Sequence, residues 1–260
     1  MSIEQTLVPR EKDLGGGFRV RRALPHSGRR SIGPFIFFDH FGPIAVRPGD
    51  KHDVRPHPHI GLATVTYLFD GAIMHRDSLG SVQRIEPGAI NWMTAGSGIV
   101  HSERTPEDLR QSSYTSHGLQ LWVALPRELE ECVPHFEHIE AAALPSIIVD
   151  DVAVRVLLGQ AFGAVSPVET LSEMLYLDVR LPAGGCMTLP ASYPERAIYS
   201  VDRPLTIDGA PLAAHTLGVL RGGDEIRICA DEATRCVVIG GAPLDGPRYM
   251  WWNFVSSRKE

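Results

Sequence analysis

The sequence has little cysteine and no closely spaced cysteine pair. Its 260 residues include four cysteines, and no two of them form a Cys-x-x-Cys motif. This scattering argues against a zinc ribbon and against a disulfide framework, which are both marked by cysteines at recognisable spacings. We therefore expect buried free thiols at the four positions, Cys132, Cys186, Cys229 and Cys236.

Long apolar stretches and an excess of basic residues are also missing. No apolar run approaches the roughly 18 residues that a membrane-spanning helix needs, and the first residues, MSIEQTLVPREKD, contain no apolar signal core. The formal net charge is −6, so the chain has no overall positive charge to attract nucleic acid. We expect a cytoplasmic protein that binds neither membranes nor nucleic acid directly.

What the sequence does contain is a long series of short β-type segments. Residues 61–69 are rich in β-branched and aromatic side chains and are followed by the turn Asp70-Gly71, while the apolar run Gly33–Pro43 begins and ends with Gly-Pro. The glycines at 15–17 predict another turn. Short strands separated by turns at such spacing indicate an all-β fold built as an antiparallel sandwich or barrel.

A weak internal repeat suggests that the β module occurs twice. Thr66–Asp70 aligns with Ile198–Asp202. We expect an N-terminal metal-binding domain over residues 1–140 and a C-terminal metal-free domain over 141–260, with an aromatic tail that packs back onto the first domain.

Two pairs of candidate metal ligands share a two-residue spacing. His57 and His59 form the first pair, and His101 and Glu103 form the second. Residues two apart on a strand project from the same face, so two paired strands would bring the four side chains together. Three imidazoles and a carboxylate suit a divalent transition metal, iron(II) best, although nickel, manganese, copper or zinc could occupy the same ligands.

Other histidines carry weaker signals. His40 lies in an apolar run without a partner two residues away, which favours a hydrogen-bonded core histidine over a ligand. His135 and His138 are three apart, so we expect both to be exposed. Asp53, His40 and His52 are candidates, by proximity alone, for hydrogen bonds to the ligand imidazoles.

With these segments assembled, the chain resembles the pirin family of the cupin superfamily. The residues that carry the resemblance are Phe38–Pro43, His57–Tyr67 and Gly96–Glu103. The resemblance implies two tandem antiparallel cupin β-barrels, a bicupin, with one metal in the first barrel. It also implies that Glu103 supplies the carboxylate ligand, because Ala63 and Thr64 occupy the region where the general cupin pattern has one.

Two functions are compatible with this resemblance. The first is a dioxygenase of the quercetin 2,3-dioxygenase type, with a small aromatic substrate, dioxygen and Glu103 as the catalytic base. The second is a non-enzymatic iron-dependent redox sensor that regulates a partner protein. A third interpretation of the four candidate ligands is a structural zinc site. Such sites are closed and tetrahedral and usually use cysteine, which is absent from these four residues.

Overall fold

The computed structural model describes residues 2–15, 18–50 and 52–260. Two of the three glycines in the turn predicted at 15–17 lie outside the described residues. The strands of the N-terminal half are β1 (Ile3–Leu7), β2 (Arg10–Asp13), β3 (Arg19–Leu24), β4 (Phe35–Val46), β5 (Val54–His59), β6 (Leu62–Asp70), β7 (Ile73–Asp77), β8 (Val82–Ile85), β9 (Ile90–Thr94), β10 (Ile99–Arg104), β11 (Tyr114–Ala124) and β12 (His135–Ile139).

The remaining strands follow in chain order. They are β13 (Ser146–Val149), β14 (Val152–Leu158), β15 (Gln160–Ala161), β16 (Ala164–Val165), β17 (Met174–Leu181), β18 (Cys186–Leu189), β19 (Glu195–Ser200), β20 (Leu205–Ile207), β21 (Ala210–Leu212), β22 (Leu217–Leu220), β23 (Ile226–Cys229), β24 (Thr234–Gly241), β25 (Tyr249–Trp251) and β26 (Phe254–Ser256). Two short 3-10 helices, Glu107–Leu109 and Arg127–Leu129, lie between strands.

The chain divides into two compact units. The first unit contains Glu11–Arg22, Ile36–Ala142 and Leu244–Glu260, and the second contains Met1–Arg10, Ala23–Phe35 and Ala143–Pro243. The units therefore depart from a simple division near residue 140, because β1 pairs with β22 and joins a sheet of the second unit. The tail from Leu244 belongs to the first unit. The assignment of the metal to one domain stays a prediction.

The two units share one sheet topology. The first has a seven-stranded sheet in the order β12-β9-β6-β11-β4-β3-β2 and a four-stranded sheet in the order β5-β10-β7-β8. The second has the orders β1-β22-β19-β24-β17-β14-β13 and β18-β23-β20-β21. Thr66–Asp70 and Ile198–Ser200 lie on the third strand of their respective seven-stranded sheets, β6 and β19, as the weak repeat predicts. The all-β, two-module fold class is confirmed.

Apolar side chains on alternating or continuous strand positions build the cores. In the first unit the predicted strand at Gly33–Pro43 is confirmed, since the first eight residues of β4 are buried. Phe37 of this strand packs in a cluster with Leu62, Trp122 and the tail residue Val255. Burial of each such side chain stabilises the fold by about 1.5–3 kcal/mol, so the tail is an integral part of this unit.

The expectation of four free thiols is wrong for two cysteines. Cys186 on β18 stands directly opposite Cys229 on β23, with their Cα atoms 4.1 Å apart, and the two form a disulfide. Cys132 and Cys236 are free, and burial raises the pKa of each of these thiols. The pairing depends on strand register, which spacing along the sequence does not reveal.

Within residues 2–15, 18–50 and 52–260, no helix has the length and apolar character required to cross a bilayer.

Candidate metal centre

A β-bulge shapes the strand pair that carries the candidate ligands. His101 of β10 pairs with His57 of β5, but Glu103 pairs with Val54. Ser102 of β10 thus opposes two residues of β5, Arg55 and Pro56. Bulges of this kind bend a strand and re-aim its side chains, and they are common beside functional sites. His101 and Glu103 share a face through the ordinary alternation of β10, and the bulge changes the facing of β5 only on the Val54 side of His57.

Three of the predicted residues come together. One ring nitrogen from each of His57, His59 and His101 lies within 4.8 Å of the others. The ring centroid of His57 lies 4.9 Å from that of His59 and 4.4 Å from that of His101. His59 and His101 are buried and His57 is half-buried. Such a group could hold a metal ion, with its open side toward His57.

Burial favours the neutral form of His59 and His101, which is the form of imidazole that binds metals. Burial, reinforced by the nearby His57, lowers the pKa of His59 to about 3, although the backbone carbonyl of Asn253 opposes the shift. Burial also lowers the pKa of His101, and the neighbouring His57, His59 and His75 add to the effect. Nδ1 of His57 lies 2.8 Å from the carbonyl oxygen of Arg55, to which it donates, leaving Nε2 as the free nitrogen.

A second pair of residues, missed in the sequence, sets the tautomer of His101. On β7, Nε2 of His75 lies 2.9 Å from the carboxylate of Asp77, which can only accept a hydrogen bond when ionised. In the His75 tautomer with its proton on Nε2, Nδ1 is an acceptor, and it lies 3.4 Å from Nδ1 of His101. This tautomer places the proton of a neutral His101 on Nδ1 and leaves the lone pair on Nε2. His75 and Asp77 share the same two-residue spacing as the predicted pairs, which was the available signal.

Two buried nitrogens in this group lack protein partners. Among the described residues, Nδ1 of His59 and Nε2 of His101 are buried without a hydrogen bond. Leaving a buried polar atom unpaired costs about 1–3 kcal/mol, so such atoms usually serve a function or bind a ligand. Converging, unpaired nitrogens on neutral imidazoles fit a transition metal.

Among the described residues, the group of converging nitrogens does not include Glu103, so its role as a ligand stays a prediction. Its side chain is half-buried, and Oε1 accepts a hydrogen bond of 3.0 Å from the hydroxyl of Thr66. Thr66 Oγ1 also lies 2.9 Å from the amide group of Gln120. Because the hydroxyl has one proton, Thr66 can donate to Glu103 while it accepts from a Gln120 amide turned to present its NH2 group. The hydrogen bond from Thr66 thereby orients the Glu103 carboxylate.

Aromatic side chains and the tail cover the His59 side of the group. The Trp122 ring packs edge-on to His59 with centroids 5.1 Å apart and stacks on Phe37 at 4.1 Å. The N–H of Val255 donates a 3.0 Å hydrogen bond to the carbonyl oxygen of Ile60, the residue that follows His59. These contacts hold β5, the strand that carries His57 and His59, between the core of the unit and its tail.

Two of the predicted supporting residues form hydrogen bonds elsewhere. Asp53 accepts hydrogen bonds from the N–H of Thr105 and from Arg110, so its assignment is wrong. His52 is also wrong, since its Nε2 lies 3.0 Å from the hydroxyl of Ser116.

Three further histidines test the expectations about burial and exposure. His40 is fully buried, with Nε2 at 2.9 Å from Nε2 of His117, and is the core histidine that its apolar run predicts. His135 is exposed as expected, but His138 is half-buried and its Nδ1 lies 2.6 Å from the side-chain oxygen of Asn91. The expectation that His138 is exposed is therefore wrong.

The equivalent strand pair of the second unit is apolar inside. β18 and β23 occupy the positions that β5 and β10 hold in the first unit. Their buried residues are Met187, Leu189, Ile226 and Ile228, which belong to the hydrophobic core of that unit. Hydrocarbon packing thus replaces the histidine group, and the disulfide lies on the other face of the same strand pair.

Fold and site together define a bicupin in which one unit carries a three-histidine group able to hold a metal. The profile of the Pirin family matches residues 17–123, and that of the Pirin C-terminal cupin domain matches residues 176–260. A pirin-like protein of Caulobacter vibrioides is 48% identical over 261 residues, covering 99% of this chain and 90% of the relative. Human pirin is 34% identical over 266 residues, covering 99% and 88%. The chain belongs to the pirin family.

A solved structure agrees in fold and sequence. The crystal structure of quercetin 2,3-dioxygenase from Acinetobacter baumannii superposes with a TM-score of 0.91 at 36% identity, covering 98% of this chain and 84% of that one. The expected bicupin architecture is confirmed.

Proposed function

We propose that this protein is a metal-dependent dioxygenase of the quercetin 2,3-dioxygenase type that acts on flavonol-like aromatic substrates. The observation that carries the proposal is the convergence of three histidines within 4.8 Å, two of which have a buried nitrogen without a hydrogen-bond partner among the described residues. The likeness to the Acinetobacter enzyme supports the same reaction class.

The metal would be held by His57, His59 and His101, with Glu103 as the fourth ligand. Three imidazoles and one carboxylate suit iron(II), and nickel, manganese, copper or zinc are alternatives to be separated by experiment. When bound, the ion would act as a Lewis acid that lowers the pKa of a coordinated hydroxyl and brings the substrate and dioxygen together. Because the corresponding interior of the second unit is apolar, we propose one metal per chain.

The residues around this group have separate tasks in the proposed reaction. Glu103 takes the proton of the flavonol 3-hydroxyl, and Thr66 keeps the carboxylate oriented through its 3.0 Å hydrogen bond. Removal of the proton produces the electron-rich flavonolate that reacts with dioxygen. Trp122 and Phe37 exclude water from the His59 side.

A second candidate function is an iron-dependent sensor that binds a partner protein. The observation that favours it is the hairpin of β25 and β26, whose Trp251 and Trp252 are 73% and 60% exposed. Exposed aromatic residues are enriched at protein interfaces, and the carbonyl of Asn253 links this hairpin to His59. A change at the metal could thereby reach an exposed surface.

One experiment tests the enzyme proposal. Metal analysis of the untagged protein is expected to give about one metal per chain, and aerobic incubation of the iron-loaded protein with quercetin is expected to bleach the flavonol and release carbon monoxide. His101→Ala should lose most of the metal. Glu103→Gln, at restored metal content, should lower turnover by about 10²–10⁴-fold.

The half-buried His138 provides a matched control, because it belongs to a different hydrogen-bond pair. His138→Ala should keep both metal and turnover. If the metal-loaded wild type neither bleaches quercetin nor releases carbon monoxide, the dioxygenase proposal fails and the sensor becomes the better account. If His101→Ala retains full metal content, the histidine site itself is wrong.

A further inference from the structure

A cavity lies beside the strands that carry the histidines. It has a volume of about 600 Å³ and is bordered by residues 46–56 and 104–114. Arg104 follows Glu103 on β10 and so points to the opposite face of that strand. The described residues that line the cavity do not include the three histidines. A cavity of this size accommodates a small organic molecule.

The lining is basic although the chain as a whole is acidic. It contains four arginines and two aspartates, whereas the chain has a net charge of −6. Asp53 is already engaged by Arg110 and by the N–H of Thr105, and these contacts outweigh burial to lower its pKa. The negative charge of Asp53 is therefore largely balanced by Arg110. Within the part of the chain that the structure describes, no ion pair involves Arg47, Arg55 or Arg104.

Arg104 is the central residue of this surface. Its side chain is half-buried, and its Nε is buried without a hydrogen-bond partner among the described residues. It also borders an adjoining concavity of about 270 Å³. A guanidinium that is partly desolvated and unpaired is costly unless an acceptor binds it, and carboxylate and phosphate oxygens match its geometry best.

The remaining walls are apolar or neutral. Val46, Pro56 and Leu109 contribute hydrocarbon surface, and the Tyr114 hydroxyl lies 3.1 Å from that of Thr105. Burial raises the pKa of Tyr114, which therefore stays a neutral hydrogen-bonding group. We propose that this cavity binds a small organic anion, with a carboxylate or phosphate group on Arg104, Arg47 and Arg55 and an apolar, ring-sized body against the hydrocarbon wall.

The proposal does not depend on the dioxygenase function. It is tested by calorimetric titration of the purified protein with phenyl phosphate, inorganic phosphate and phenol at about 50 mM salt. Phenyl phosphate combines charge and ring and should bind most tightly, and binding should weaken as salt increases. Inorganic phosphate should bind more weakly, and phenol should not bind measurably. Arg104→Gln should weaken phenyl phosphate binding at least about 10-fold, the effect expected for loss of one charged hydrogen bond.

Two variants make the result decisive. Arg84→Gln is the matched control, because Arg84 pairs with Glu86 and Asp108 outside the cavity, and it should bind phenyl phosphate as the wild type does. Arg104→Lys keeps the charge and should retain part of the affinity if Arg104→Gln alone is poorly folded. The proposal is overturned if phenyl phosphate does not bind, or if Arg104→Gln and Arg84→Gln both bind it like the wild type. The latter result would place the anion elsewhere, for example at the metal.

Discussion

Nδ1 of His75 lies 3.4 Å from Nδ1 of His101, and Asp77 holds the other nitrogen of His75. The chain Asp77–His75–His101 orients an imidazole of the candidate metal centre from a third strand. His75 is buried and its ring stacks on Phe136 with centroids 4.2 Å apart, so its position is fixed by packing as well as by hydrogen bonds.

The first prediction concerns this chain of hydrogen bonds. His75→Phe preserves the ring stacked on Phe136 but removes the acceptor for Nδ1 of His101. We expect metal affinity to fall by about 10–100-fold, the usual effect of losing a hydrogen bond to a metal-ligating histidine. Competition with a chelator of known affinity measures the change. His138→Phe should leave the affinity unchanged, and equal affinities for His75→Phe and the wild type would show that His75 has no part in orienting His101.

The second prediction concerns pH and the metal-free protein. The pKa of His59 is about 3 in the folded chain, below the ordinary value of 6.5. As the pH falls through about 6.5 the unfolded chain takes up this proton and the folded chain does not, so stability is complete above that pH and is lost toward pH 3. The loss is up to about 1.4 kcal/mol per pH unit from this group.

Urea unfolding of the metal-free protein at about pH 7.5 and about pH 5.5 measures this loss. The metal-free His59→Gln variant should lose at least about 1 kcal/mol less between the two pH values than the wild type does. An identical loss in both proteins would contradict a depressed pKa for His59.

The third prediction concerns the contact between the tail and Gly61, which follows the strand that carries His57 and His59. Gly61 has a φ of +72°, and a Cβ at this position would overlap the carbonyl oxygen of Val255. Gly61→Ala should therefore combine backbone strain with displacement of the tail and destabilise the protein by on the order of 2–4 kcal/mol. Metal affinity should fall as well, since the tail supports the His59 side of the site.

Gly80 is a matched control for this change. Its φ is +92°, but a Cβ there would meet no atom within 4 Å. Gly80→Ala should cost only about 1 kcal/mol of backbone strain and should leave metal affinity intact. If thermal unfolding shows equal costs for both variants, the close approach of Val255 is not what requires glycine at position 61.

The fourth prediction concerns the disulfide of the second unit. The bond joins residues separated by 43 positions, and closing such a loop restricts the unfolded chain by up to about 4 kcal/mol. A Cys186→Ser and Cys229→Ser double variant should lose about 2–4 kcal/mol of stability in urea unfolding without reductant. Its metal content should not change. Equal midpoints for the double variant and the oxidised wild type would show that the bond does not stabilise the fold.

Two-residue spacing predicted correctly that His57 and His59 share a face and that His101 could join them, because strand alternation is a local property. The bulge at Arg55-Pro56 is not a local property, because it arises only from the register in which β5 pairs with β10. The same is true of His75, which reaches the site because β7 pairs with β10.

Register also explains what was wrong about cysteine and what was missed in the basic cavity. Cys186 and Cys229 meet only because β18 and β23 align them. The arginines of the cavity come from two segments about 50 residues apart, and neither segment looks like a basic cluster by itself. Local pattern therefore predicted the strands and the ligand pairs, whereas contacts between distant strands required the structure.

The tail also determines when the first unit can be completed during synthesis. Leu244–Glu260 leaves the ribosome only after the whole of the second unit, yet Val255 belongs to the cluster around Leu62 and Trp122. Domains usually fold in the order in which they are made. Here residues 36–142 gain their contacts with the tail only after a segment translated about 100 residues later, so the cluster around Leu62 and Trp122 is completed only after the second unit has been synthesised.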